Sequence, residues 1–448
     1  MRRILLTITF FIFTNALRSG AQELQVWTLR DCMIYAIENS PETKIQELTN
    51  DNRRLDHRDA YLEFVPSVNG NINAYTSFGR SIDPETNTYS NVNSFSNSYA
   101  IYSNYTIFNG FTVVDKYKVT RIARLSGIEE ARQVEDNLCL TIMQSYYNVL
   151  YRKGMVQLCR EQLMESQTTL KNTRVLEELG LKSYADVLQV EAQVAANDYN
   201  LVREQNMMES ELISLKEKMF FPSDRELVID TTFSQIADPF ARSVTAGDIY
   251  LSALEFLPAV KISAFDVKTA GIKLHNAKWS LLPNIFSEAG YSTGYISTLG
   301  QAANADPFLS QMKNRQGEYV QVGMSIPLFG RLNRQSAIGR MRNALHIAEA
   351  QRDKKLKEIE SEIARAVQDM EGSAKEFIQA DKRVAAQDMA HKANQRKYEE
   401  GLLSVLELQT SSNQALAAKA ERLNSALTYL IKKRIVGYYQ GTSYINQE

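Results

Sequence analysis

Apolar and polar positions alternate with a period of two in four separate stretches of the chain. Val68, Gly70, Ile72 and Ala74 face one way while Ser67, Asn69, Asn71 and Asn73 face the other. An extended segment here therefore has one apolar and one strongly polar face. The alternation returns at Tyr99, Ile101, Tyr105 and Ile107, less cleanly at Ile285, Ala289, Tyr291 and Tyr295, and again at Val320, Val322, Met324, Ile326 and Leu328. Strands are predicted at about 67–79, 97–109, 284–297 and 318–329, joined in pairs by polar loops around 80–96 and 298–317. After each pair the period changes. Residues 111–179 and 331–400 contain no proline, and Ile142, Val149, Val156, Leu163 and Leu170 recur at every seventh position. Met370, Phe377, Val384 and Tyr398 do the same if His391 is admitted to the series, and Val187, Val194, Leu201, Met208, Leu215 and Leu416, Leu423, Leu430 extend the pattern. Seven-residue spacing predicts long, slightly under-wound helices packing lengthwise against neighbours. These seams are core positions and carry no chemistry.

The pattern is written twice. Thr28-Leu29-Arg30-Asp31 returns as Thr245-Ala246-Gly247-Asp248, and the same shift takes Ala36 to Ala253, Pro41 to Pro258, Lys44 to Lys261 and Pro66 to Pro283. Farther along, Gly180-Leu181-Lys182-Ser183 is answered by Gly401-Leu402-Leu403-Ser404, with Asp186 answered by Glu407. The chain is thus read as a tandem duplication, with a first repeat over 22–220, a joint over 221–244, a second repeat over 245–437 and a tail over 438–448. In each half Thr and Asp at capping distance open a helix, and a proline marks the next first turn.

Residues 1–21 read as a processing signal. Arg2 and Arg3 precede an apolar run over 4–13, followed by Ser19-Gly20-Ala21, small residues suited to peptidase cleavage. Export would permit disulfides. Cys139 and Cys159, twenty positions apart on one predicted helix, are about 30 Å from each other and do not pair; with Cys32 they are expected as buried small hydrophobes. The four histidines, His57, His275, His346 and His391, are scattered without metal-ligand spacing, so no metal and no cofactor are expected. Lys+Arg 51 against Asp+Glu 52 argues against a nucleic-acid surface. Beyond the N-terminus no apolar run is long enough for a helical membrane span, a test that a β-barrel escapes.

Four amphipathic strands per chain do not close a transmembrane barrel, which needs at least about eight, and open edges are not tolerated in hydrocarbon. Copies must associate: two would give an interior filled by side chains, three a twelve-stranded barrel with a wider lumen. A soluble sheet with one wet face is the plainer alternative.

The order of signal, duplicated helix-strand-strand-helix halves and Gly-x-x-Ser turns resembles the TolC-like outer-membrane efflux family over essentially the whole mature chain. The strongest match is Gly180-Leu181-Lys182-Ser183-Tyr184-Ala185-Asp186-Val187 with Gly401-Leu402-Leu403-Ser404-Val405-Leu406-Glu407-Leu408. The resemblance implies a mainly α fold with a membrane β-barrel portion: a homotrimeric twelve-stranded barrel in outer-membrane lipid, continuous with a long periplasmic helical barrel. It also implies an inner-membrane pump and a periplasmic adaptor, or membrane fusion protein, docking on the two turns. Gly180, Leu181, Ser183, Asp186, Gly401, Leu402, Ser404 and Glu407 are the expected contacts, and Glu407 with Asp186 the expected constriction. The same turns have a local explanation, since Gly ends one helix and Ser starts the next. Glu407 as a ring of three carboxylates favouring cations stands beside Glu407 on a solvated helix face. Two family positions depart, Thr410 for an acidic and Leu403 for a basic residue, so the family's closing ion pairs do not carry over. Asp186 is free to cap locally, with Lys182 its nearest candidate partner.

Function follows as a passive exit duct of an efflux or secretion system. A self-sufficient porin-like channel and a structural coiled-coil spacer are the rivals. No Gly-x-Ser-x-Gly, His-Glu-x-x-His, phosphate-binding glycine loop or Cys-x-x-Cys is present, so no enzyme is expected.

Overall fold

The computed structural model describes residues 26–82, 88–91, 93–231, 245–299 and 306–447; the expected signal at 1–21 and most of the joint at 221–244 lie outside them. The chain divides into two compact units, one drawn from residues 1–47, 129–260 and 355–448, the other from 48–128 and 261–354.

In chain order the elements are β1 (Val26–Trp27), α1 (Leu29–Asn39), α2 (Pro41–Leu62), β2 (Ser67–Ser77), β3 (Arg80–Ile82), β4 (Tyr89–Asn91), β5 (Ser94–Asn109), α3 (Thr112–Glu178), α4 (Tyr184–Met219) and β6 (Val228–Ile229). They continue with α5 (Ala246–Phe256), α6 (Pro258–Trp279), β7 (Asn284–Thr298), α7 (Phe308–Asn314), β8 (Gly317–Ser325), α8 (Asn333–Glu399), α9 (Val405–Tyr439) and a 3-10 turn at Tyr444–Asn446. Helix starts follow their capping chemistry. Thr28 accepts from the Asp31 N–H while Asp31 reaches back to the Thr28 N–H, and Thr245 accepts from the Asp248 N–H. Pro41 and Pro258 occupy first helical positions, where their missing N–H costs nothing.

The second unit holds an antiparallel four-stranded sheet in the order β2-β5-β7-β8. Register places Ile72 opposite Tyr99, Ile101 opposite Tyr291, and Ala289 opposite Val320. One face is therefore apolar across all four strands, and it is bare: Val68 is 71% exposed, Ile72 76%, Val320 81%. The other face carries Asn69, Asn71, Asn73, Ser98 and Gln321. β8 stops at Ser325, short of the expected 329, because Pro327 has no N–H for a ladder. The two segments expected as polar loops contain structure, the paired β3 and β4 in one and α7 in the other.

At the base of the sheet the chain turns from β5 into α3 through Gly110 and Phe111, both left-handed with φ 63°. A Cβ on Gly110 would lie 2.3 Å from the Trp279 carbonyl oxygen, so only glycine fits. The rings of Phe108, Phe111, His275 and Trp279 gather here, and buried Asp115 lies 2.6 Å from His275 Nδ1.

The first unit is built on the long helices. Ile142, Val149, Val156 and Leu163 of the heptad series are buried. Ile142 and Val149 share a core with Cys32, Met33, Leu215 and Met219. β1 and β6 pair in parallel, an element the sequence did not predict, and Tyr146 donates to the Asp230 carbonyl at 2.8 Å beside them. Tyr444 stacks on Tyr438, whose hydroxyl donates to Asp136 at 2.8 Å. Among the described residues no helix is long and apolar enough to cross a membrane.

Candidate functional site

The two Gly-x-x-Ser turns join α3 to α4 and α8 to α9, and their local geometry is the same. Gly180 and Gly401 adopt φ of 74° and 77°. The Gly180 N–H donates to the Glu177 carbonyl and the Leu181 N–H to Leu176, both at 2.8 Å. Gly401 and Leu402 repeat this with Tyr398 and Lys397. This double bond pattern satisfies the last carbonyls of each long helix and requires a left-handed residue, hence glycine. Three residues after each glycine a serine caps the returning helix. Ser183 Oγ accepts from the Asp186 N–H at 3.2 Å, and Asp186 accepts from the Ser183 N–H at 3.0 Å. Ser404 and Glu407 make the same reciprocal pair at 3.3 and 3.1 Å.

Asp186 and Glu407 are thus both third residues of a capping box, and the bonds from Ser183 and Ser404 hold their carboxyls below the usual range. Each is ionised near neutrality. Lys182 is not the main partner of Asp186: its Nζ donates to the Leu403 carbonyl at 3.0 Å and sits 4.6 Å from the centre of the Tyr398 ring. That contact ties one turn to the other.

Around it lies a cluster that the sequence reading did not single out as a site. Tyr398, Val190, Val405 and Leu408 are buried together, with Leu170 and Leu403 against them. The Tyr398 hydroxyl is 2.6 Å from Thr173 Oγ1, and that same hydroxyl of Thr173 donates to the Thr169 carbonyl at 2.8 Å. Threonine has one proton to give, so Tyr398 is the donor to Thr173. Gln162 donates to Asn413 at 3.1 Å, Arg174 to Glu191 at 2.5 Å, and Gln409 bonds Gln193. His391, buried, bonds Glu165 across the same bundle. The signal for these residues was a break in the repeat: Tyr398 aligns with Glu177 and Lys182 with Leu403, so the cross-turn contacts sit where the halves differ. By contrast Leu181, Leu402, Tyr184 and Leu406 are between 61% and 73% exposed. They form an apolar, uncovered rim on a rigidly capped end.

The family description "outer membrane efflux protein" matches residues 36–219. Over those residues, fewer than half of the chain, the sequence is similar to that family. A likeness of fold extends along the chain. The chain is similar to CusC at 15% identity and a TM-score of 0.77, covering 92% of this chain and 91% of that one. It is also similar to the outer membrane protein VceC of Vibrio cholerae, at 14% and 0.75 over 93% and 96%, and to the outer membrane channel CmeC of Campylobacter jejuni, at 13% and 0.75 over 94% and 87%. No curated protein matches the sequence.

Proposed function

We propose that this protein is the outer-membrane exit duct of an export system, and that three copies build it. The observation that carries the reading is the sheet. It has two edges with one neighbour each, a bare apolar face and a face lined with asparagine and serine. In lipid such edges must be paired, and twelve strands from three chains pair them while leaving a wet lumen. The helices then belong in the periplasm, with the leader at 1–21 directing export.

The capped turns are the inner mouth in this reading. Leu181, Tyr184, Leu402 and Leu406 offer an apolar rim for a periplasmic adaptor, which links the duct to an inner-membrane pump. Gly180, Ser183, Gly401 and Ser404 shape that rim rather than touch cargo. Asp186 and Glu407 supply fixed negative charge at the mouth, held by their serines. The duct moves cargo passively and performs no covalent step.

Reconstitution into a planar bilayer tests the duct. Discrete single-channel steps are expected, and a protein that inserts without conducting is a spacer instead. Solute uptake by cells lacking any pump would favour the porin-like alternative.

A further inference from the structure

The two repeats match residue by residue. α2 and α6 both have 22 residues, so Leu62 answers Trp279, and α3 and α8 both have 67, so Phe111 just before α3 answers Leu332 just before α8. Carried into the strands, the first correspondence takes Ile72 to Ala289 and the second takes Tyr99 to Val320. Both are opposed pairs, Ile72 with Tyr99 in the first repeat and Ala289 with Val320 in the second. The strand pairs therefore repeat without a slip. So do the turns into the long helices: Gly110 and Phe111 both have φ of 63°, Arg331 and Leu332 of 53° and 58°. Left-handed backbone is disfavoured wherever a Cβ is present, yet the second turn keeps that shape without glycine.

The repeats are joined to each other by β7 and β5, with Ala289 opposite Ser103. The segments that adjoin those strands in the chain meet as well. The Trp279 ring, at the end of α6, lies 5.4 Å from that of Phe111, the Trp279 carbonyl presses on Gly110, and His275 bonds Asp115. One joint thus unites the first strand of repeat two with the second strand of repeat one and seats α6 on the turn. The reverse combination, the first strand of repeat one and the second of repeat two, falls on the two margins of the sheet, β2 and β8. There the matching surfaces are bare. Leu62 is 47% exposed, Leu332 60% and Met324 61%, and Leu48 and Leu55, also exposed, continue the Leu62 series at seven-residue spacing. Where β7 runs on past β8, Gln311 of α7 accepts from the Ile296 N–H and donates to the Ile296 carbonyl, both at 3.0 Å, so β8 itself is the open edge.

We propose that a second copy of this chain joins the β8 margin through the same joint that holds the two repeats together. Ala289 opposite Ser103 translates into Ile72 of the second copy opposite Met324, and Tyr291 opposite Ile101 into Ala74 opposite Val322. Trp279 against Phe111 translates into Leu62 of the second copy against Leu332. Ile72, Ala74, Val322 and Met324 all belong to the apolar face of the sheet, so this register continues that face across the seam, whereas a slip of one residue would break it. The inference rests on the trimeric reading, since a closed ring of copies is what brings the β8 margin of one chain beside the β2 margin of the next. Two parts of the inner joint have no counterpart. Arg331 stands where Gly110 admits the Trp279 carbonyl, and Ser336 and Arg58 stand where Asp115 and His275 bond. The strand ladder and the leucine contact therefore carry the seam between copies.

The test uses the full-length protein in outer membranes. Ile72→Cys with Met324→Cys should give disulfide-linked dimers and trimers on a non-reducing denaturing gel, since directly opposed residues stand about 4.5–5.5 Å apart at Cα, within disulfide reach. Neither single variant should do so, because Cys32, Cys139 and Cys159 are buried. Ile72→Cys with Val320→Cys, four residues out of register and thus roughly 13 Å away, should stay unlinked. Leu62→Cys with Leu332→Cys, treated with a short bis-maleimide, reads the seat of α2 and should also link. The native mass of the reduced variants separates the ways of failing. A single-chain mass overturns the trimer and this inference with it. A three-chain mass with linkage at Val320 instead of Met324, or at neither, overturns the inference alone, the copies then being joined in another register or by other surfaces. Linked strands with Leu62 and Leu332 unlinked would overturn the seat of α2 and uphold the register.

Discussion

The bond between Tyr398 and Thr173 makes an asymmetric prediction. Tyr398 is the donor, and the Thr173 proton goes to its own helix at Thr169. Tyr398→Phe removes the donor and strands nothing, since Thr173 keeps Thr169. The cost is that of one net hydrogen bond, about 1 kcal/mol, or roughly fivefold in a local opening equilibrium. Thr173→Val keeps shape and branching but leaves the buried Tyr398 hydroxyl without its acceptor, which costs about 1–3 kcal/mol and thus roughly 5- to 150-fold. With both substitutions together the stranded hydroxyl is gone, and the double variant should be no worse than about Tyr398→Phe, an interaction energy opposite in sign to the larger single cost. Hydrogen exchange of the Gly401 to Ser404 amides in the assembled protein reads the opening directly. Equal effects of the two single variants, or a double variant that is simply their sum, would refute the assigned donor and the idea that this pair holds the mouth together.

Other consequences are as direct. Glu407→Gln preserves the capping box with Ser404, since glutamine accepts the same bond, and removes only the charge; a ring of carboxylates at the mouth predicts lower cation selectivity at low salt with unchanged thermal stability, whereas a silent variant leaves Glu407 as a cap only. Because serine bonds depress both carboxyls, the stabilisation from Asp186 and Glu407 is present in full above the ordinary carboxylate range. It is lost as pH falls through the lowered values, so reversal potentials should stay flat from about pH 8 to 5 and change only in stronger acid. A fall in selectivity between pH 7 and 5 would contradict this. Gly110→Ala forces a left-handed alanine against the Trp279 carbonyl and should cost at least about 2 kcal/mol, read as a lower melting temperature and poorer assembly. Burial pushes the thiols of Cys32 and Cys139 up to about 12, so neither should react with maleimide at pH 8 until the protein is unfolded.

The large elements were legible because each obeys a strict period. Alternation gave the four strands to within a few residues, and heptads gave both 67-residue helices. What escaped was short or long-range. β1 and β6 are two residues each and pair across some 200 positions, beyond any local signal. α7 owes its place to Gln311 reading a strand edge, a contact that no periodicity encodes. At the turns, Ser183 and Ser404 announced their caps by spacing, yet the cross-turn clasp of Lys182 on the Leu403 carbonyl could be read only from the fold. Tyr398 sits in a heptad series, which predicts plain core; its phenol oxygen, not its ring, gives it a specific role. His391 interrupts the same series because it faces Glu165 rather than an apolar neighbour.

Twelve strands from three chains remain the foundation of the account. The most direct measurement is the native mass of the detergent-extracted protein, taken on the same sample that is then placed in a planar bilayer. Three chains together with discrete conductance steps are expected. A stable, water-soluble single chain, its β2 and β8 edges unpaired, would contradict it.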